Sequence, residues 1–108
     1  MLAEEKLKLS LHFTFSGFSK DSTYVKDIEV SREITLNELK EIVCDSVGAT
    51  CDMDCLRLRE KNPFFGRIFR EGLKTLKSLQ IKDRSAIVYQ ILNYHEVLDL
   101  NTYVLLLS

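Results

Sequence analysis

The residue types that could hold a metal or supply a thiol nucleophile in this 108-residue chain are three cysteines, Cys44, Cys51 and Cys55, and two histidines, His12 and His95. A tetrahedral zinc site takes four ligands, usually in pairs of closer spacing than Cys51-x-x-x-Cys55. Here the fourth ligand is missing, because His12 falls on the polar side of an alternating segment and His95 stands far along the carboxy-terminal stretch. The same separation leaves no base beside a thiol, which a cysteine nucleophile needs. There is no glycine-rich phosphate loop, and the carboxylates are spread along polar faces rather than paired. The expectation is therefore ordinary thiols, no metal, no cofactor and no catalysis by this chain alone.

Recognition chemistry is better represented. Residues 57–77 carry seven basic side chains, Arg57, Arg59, Lys61, Arg67, Arg70, Lys74 and Lys77, against Glu60 and Glu71, a local charge of +5 in a chain of net charge −1. Such a concentration is either a solvated face balancing acid elsewhere or a docking surface for an acidic partner. Within it lies PFFGRIF, with Phe64, Phe65 and Phe69 beside Arg67 and Arg70. Phe and Arg are favoured interface anchors. The alternative for Ile68 and Phe69 is core filling, which would leave only Phe64 or Phe65 exposed. Aromatic stacking in a cationic groove also suits single-stranded nucleic acid, but the overall acidic balance argues against it, and no nucleic acid is expected.

With 45% hydrophobic residues the chain is of one-domain size and needs no disulfide or metal to fold. An odd, clustered cysteine count with no secretory signal ahead of it fits a reducing compartment, cytoplasmic or nuclear. No apolar run approaches the roughly 20 residues of a spanning helix, so no membrane is expected.

Several elements must position these residues. From Leu7 to Phe15 every odd residue is apolar and every even one polar, the period of a half-buried strand. Ser16 to Ser22 reads as the turn of a hairpin leading to a second strand over about Thr23 to Val30, with Ile28 and Val30 inward. Ile34 to Gly48 is an amphipathic helix: Thr35 is its N-cap, Glu38 completes a capping box, Ile34 and Leu39 form a staple and Gly48 ends it. Leu36, Leu39, Ile42, Val43 and Val47 share its apolar stripe. Ala49 to Asp54 reads as a loop, and Leu56 and Leu58 alternate with Arg57 and Arg59 in a short third strand whose outward face is basic. Pro63 breaks that strand, and the stretch from Pro63 to Gly72 reads as a hairpin or an extended loop. Thr75 to Ile81 is a capped turn that plugs the core with Leu76, Leu79 and Ile81, and Ala86 to Leu92 is a final buried strand. The fold class is α+β, with first and last strands parallel and central and the helix across one face.

In this order and spacing the residues resemble ubiquitin-like, β-grasp domains. Relative to ubiquitin, Val30, Thr35, Leu36, Leu39, Lys40, Val43, Gly48, Leu56 and Leu58 match in identity or apolar character without a gap. Thr75, Leu76, Ile81, Ser85, Ile87, Tyr89 and Ile91 repeat the match near the end, and an insertion containing PFFG separates the two blocks. The resemblance implies a mixed sheet of four to five strands with one main helix over residues 1–92. Residues 93–108 form an apolar extension that adds a strand, caps the sheet or begins a neighbouring domain. Ubiquitin is usually read through an exposed aliphatic patch, and at the two matching positions this chain has Arg57 and Gln90. It also lacks a tail ending in two glycines, so conjugation to substrates is not implied. Leu79 replaces the tyrosine whose hydroxyl anchors a loop in ubiquitin, which leaves that loop to apolar packing. Lys26 stands where an apolar inward residue would be expected.

The insertion, the basic third strand and the continuing carboxy end look like the accessory ubiquitin-like domains of ubiquitin-specific proteases, the cysteine deubiquitinases. That resemblance implies a monomeric regulatory or interaction domain. Its partner would be a protein, the catalytic domain of its own parent chain being one candidate. The residues assigned to binding are Arg57, Arg59, Phe64, Phe65, Arg67, Arg70 and Gln90. The alternatives are an adaptor docking to the proteasome or to ubiquitin receptors, against which Arg57 and Gln90 count, and a β-grasp effector domain that binds a small GTPase.

Overall fold

The computed structural model describes residues 6–15, 21–50, 52–61 and 67–92. Five strands form one sheet in the order β2-β1-β5-β3-β4. They are β1 (Lys6–Phe13), β2 (Thr23–Ser31), β3 (Leu56–Glu60), β4 (Ile68–Phe69) and β5 (Ala86–Ile91), and α1 (Leu36–Val47) packs across one face. As expected, β1 and β5 are central and parallel, with Leu11 opposite Ile87 and His12 opposite Val88. The other pairings are antiparallel.

The helix begins and ends on the expected residues. Thr35 Oγ1 accepts the Glu38 N–H at 3.2 Å while Glu38 Oε1 accepts the Thr35 N–H at 3.1 Å, a reciprocal capping box. At the other end Gly48 takes the left-handed conformation, φ 71°, that lets the chain turn away from the helix axis. Leu36, Leu39 and Val43 are fully buried, Ile42 and Val47 pack beside them, and Cys44 joins the core as a small apolar residue. Beneath them lie Leu7, Leu9 and Leu11 of β1, Leu56 and Leu58 of β3, and Ile87 and Tyr89 of β5. Leu76, Leu79 and Ile81 close one end of this core, on a turn whose Thr75 Oγ1 accepts the Ser78 N–H.

The differences from expectation are local. β1 stops at Phe13, two residues early, although the Thr14 N–H still donates to the Tyr89 carbonyl at 3.2 Å. Within the loop before β3, Met53–Cys55 forms one 3₁₀ turn. Of the stretch from Pro63 to Gly72, Ile68–Phe69 pairs with β3, and Phe69 opposite Leu58 fills the core. Lys26 keeps its inward parity, opposite Leu11 next to an irregularity in the β1–β2 register. At this sheet edge it reaches past the core, and its Nζ donates to the Ser46 carbonyl at 3.3 Å in the last turn of the helix. A cation is favourable there, so a residue that looks misplaced along the strand is placed correctly in space. Residues 16–20 of the turn expected from Ser16 to Ser22, Cys51, Phe64 and Phe65, and residues 93–108 lie outside the described residues.

Candidate protein-interaction face

The alternation that buries leucines beneath α1 sends the intervening residues to the opposite side of the sheet. From β3 come Arg57 and Arg59; from β5 come Ala86, Val88 and Gln90; from β1 come Ser10 and His12. Register then sets the neighbours, with Arg57 directly opposite Gln90 and Arg59 opposite Val88. On the outer side of β3, Ile68 stands opposite Arg59. Three of the assigned residues, Arg57, Arg59 and Gln90, thus come together as one patch.

The patch is not laid open as the sequence suggested. Arg57 is half-buried, but Arg59 is only 8% exposed and Gln90 only 7%. Gln90 Nε2 donates weakly to the Phe15 carbonyl at 3.5 Å, and its Oε1 is buried without a hydrogen-bond partner. Both Arg57 and Arg59 are engaged in polar or electrostatic contacts. Burial, followed by the nearby charge of Arg70, pushes the Arg59 guanidinium below its ordinary pKa. Guanidinium stays charged in proteins, so this shift records the strain of gathering positive charge in a desolvated place.

Arg67 and Arg70, at the margin of this face, are exposed. Arg67 is already committed within the domain. Its Nη2 donates to the Leu79 carbonyl at 2.9 Å, its Nε lies 3.5 Å from Glu60, and its guanidinium stacks 4.8 Å above the Phe69 ring. It therefore fastens β4 to the core-closing turn, a role that its sequence context did not reveal. Arg70 continues the exposed basic margin, whereas Lys74, paired locally with Glu71 at 3.1 Å, and Lys77 are exposed beside the start of α1.

Exposed apolar side chains are scattered. Phe15 and Leu73 are the most exposed large hydrophobic residues among those described, and Phe15 packs edge-on against Phe13, which in turn leans on Tyr89. A cleft of about 650 Å³ between Glu60, Lys61, Arg67, Lys82 and Ile87 is open and charged at its rim. Neither feature gathers a nucleophile with a base. Among the described residues no group of His, Cys, Asp and Glu is placed to hold a metal ion, and no helix is long and apolar enough to cross a membrane.

Comparison with known proteins gives a likeness of shape rather than of sequence. No protein-family model matches the chain, and no curated protein does. Among solved structures, a ubiquitin from Caldiarchaeum subterraneum is similar with TM-score 0.60 and 21% identity over 82% of this chain and 96% of that one. The ubiquitin-like domain of an Arabidopsis thaliana protein is similar with TM-score 0.63 and 17% identity, covering 88% and 86%. Tubulin-binding cofactor B of Trypanosoma brucei is similar with TM-score 0.62 and 17% identity, covering 82% and 98%. Together with the strand order and the capped helix, these neighbours establish that the chain has the ubiquitin-like β-grasp fold.

Proposed function

We propose that this chain is a non-catalytic interaction domain that docks an acidic protein surface through the basic margin of its sheet, and that its parent is a ubiquitin-specific protease. The observation that carries the reading is the replacement of ubiquitin's aliphatic patch by the cross-strand pair Arg57 and Gln90, with Arg70 exposed close to Arg59. A surface of this charge selects partners by electrostatic complementarity and accelerates their encounter, both of which weaken as salt is raised. The fold itself is neutral as to role; the parent enzyme is supported by resemblance in the insertion and the continuing carboxy end. The domain would regulate or recruit, and the catalytic cysteine would lie in another part of the parent.

The test is activity of the parent deubiquitinase on a fluorogenic ubiquitin substrate with the domain intact, deleted, or carrying Arg57→Glu and Arg70→Glu. Equal shifts of kcat or KM on deletion and on charge reversal are the expected result. Identical behaviour of all three enzymes would remove the regulatory reading.

A second reading is favoured by the similarity to tubulin-binding cofactor B. On that reading the same basic margin contacts a cytoskeletal client. Co-sedimentation of the domain with purified tubulin, lost on charge reversal, would support it.

A further inference from the structure

Two clefts flank the turn at 80–82 and share its residues Gln80, Ile81 and Lys82. One, of about 650 Å³, lies against β3 and β5 and carries Lys61 and Lys82 beside the Arg67–Glu60 pair. The other, of about 350 Å³, borders Leu7 of β1 and carries Arg32, Lys77 and Asp83, with Lys82 again. Left-handed backbone at Gln80, φ 61°, and at Arg84, φ 65°, brackets Lys82 and Asp83 and shapes the ridge between the clefts.

The charges around this ridge are unequally committed. Glu60 is taken by Arg67, which also donates to the Leu79 carbonyl. Arg32 lies 3.7 Å from Glu33, and Asp83 accepts the Lys8 N–H at 2.7 Å. Lys61, Lys77 and Lys82 are exposed, and among the described residues their ammonium groups have no ion-pair partner. Their backbone is nevertheless held in place. The Lys61 N–H donates to the Ala86 carbonyl at 3.1 Å and the Lys77 N–H to the Arg32 carbonyl at 2.9 Å, while the Lys82 carbonyl accepts the Ser85 N–H at 3.2 Å. Three uncompensated cations on a fixed frame make a positive field that an anion relieves without a loop having to be ordered.

The form of the clefts narrows the anion. Sites for small apolar ligands enclose most of the ligand, whereas these are open, and the apolar floor of the larger one, Phe69, Ile81 and Ile87, is nearly inaccessible. A lone phosphate is best held by converging donors such as an arginine fork. Here the guanidinium of the larger cleft is already occupied, and the lysines are point charges distributed along both sides of the ridge. We infer that the ridge at 80–82 is a docking site for an extended acidic segment of a partner protein, whose successive carboxylates pair with Lys61, Lys82 and Lys77. The site is separate from Arg57, Arg70 and Gln90, and it needs neither a deubiquitinase parent nor a tubulin client.

The experiment is fluorescence anisotropy of a fluorescein-labelled octaglutamate peptide titrated with the intact 108-residue chain, with octaglutamine as control. Binding of the glutamate peptide alone, weakening as salt is raised, is expected. Lys61→Glu with Lys82→Glu should weaken it by about tenfold or more, and Arg57→Glu with Arg70→Glu by less than about threefold. The two variants carry the same net charge, so the difference reads position rather than total field. Equal losses would overturn the inference, and so would a loss confined to the Arg57 and Arg70 variant, which would leave docking at the sheet margin standing. Equal binding of the glutamine peptide, or no binding of the glutamate peptide at millimolar protein, would overturn it as well. In the unmutated chain, amide NMR shifts on adding the glutamate peptide should centre on Lys61, Lys77 and residues 80–86. Shifts centred on Arg57 and Gln90 would overturn the inference even if a variant failed to fold.

Discussion

The two faces of the sheet solve burial differently. Under α1 the side chains are aliphatic almost throughout, Leu9, Leu11, Leu39, Leu58, Leu76 and Ile87 among them, and all are essentially inaccessible. On the other face, burial takes in a guanidinium, a carboxamide and a hydroxyl along with Val88, and His12 is half-buried. An apolar face gains from water exclusion alone, whereas a mixed one must also satisfy the polar groups it desolvates. The first face is thus built for stability, and the second trades some of that for charge in a defined place.

The contrast is sharpest in truncation mutants. Leu39→Ala or Leu58→Ala, each removing a fully buried side chain beneath the helix, should lower unfolding free energy by about 2–5 kcal/mol in urea titrations. Val88→Ala on the other face removes two methylene equivalents and should cost about 1.5 kcal/mol if that face is sealed. A change near zero would show Val88 facing water. Thr35→Ala, which deletes the helix cap without touching either layer, should cost about 1 kcal/mol in the same titration.

A smaller effect should appear with pH. Burial, then the Lys61 charge, lowers the His12 pKa below its ordinary 6.5, the Asp27 carboxylate opposing in part. An unfolded chain then takes up a proton more readily than the folded one. The His12 contribution is complete above about pH 6.5 and is lost as pH falls through the lower folded value. Stability of His12→Gln should fall less steeply than that of the wild-type chain between neutral pH and pH 5. Parallel curves would place His12 in an environment no different from water.

Much of this was legible from the chain itself, and the boundary is physical. The helix could be read because its caps, staple and stripe are encoded within fifteen consecutive residues, Ile34 to Gly48. β1 and β5 could be read from period and apolar content. β4 is two residues long, too short for any periodicity, and exists because β3 offers it an edge. Lys26 was puzzling along the strand and became clear only with the Ser46 carbonyl beside it. For the candidate face, alternation put Arg57 and Arg59 on one outward side of the third strand, and only the observed register brought Gln90 opposite Arg57. Their burial depends on what lies above the sheet, and local alternation carries no information about that. Arg67 likewise looked like a surface anchor because its three partners, Glu60, Leu79 and Phe69, come from separate places in the chain.

The helix amino terminus is stitched to the segment that carries Lys74 and Lys77. The N–H groups of Leu36 and Asn37 donate to the carbonyls of Lys74 and Gly72, and those of Leu76 and Lys77 donate back to Ile34 and Arg32. Free amide groups at a helix start would otherwise turn to water. The ammonium groups of Lys74 and Lys77 therefore project from backbone clamped to the best-capped element of the fold. A partner binding there has only side-chain freedom to restrain, so affinity should be set by the dissociation rate rather than by ordering of a loop. Amide exchange at 74–77 should accordingly follow the helix, and Thr35→Ala should loosen both together.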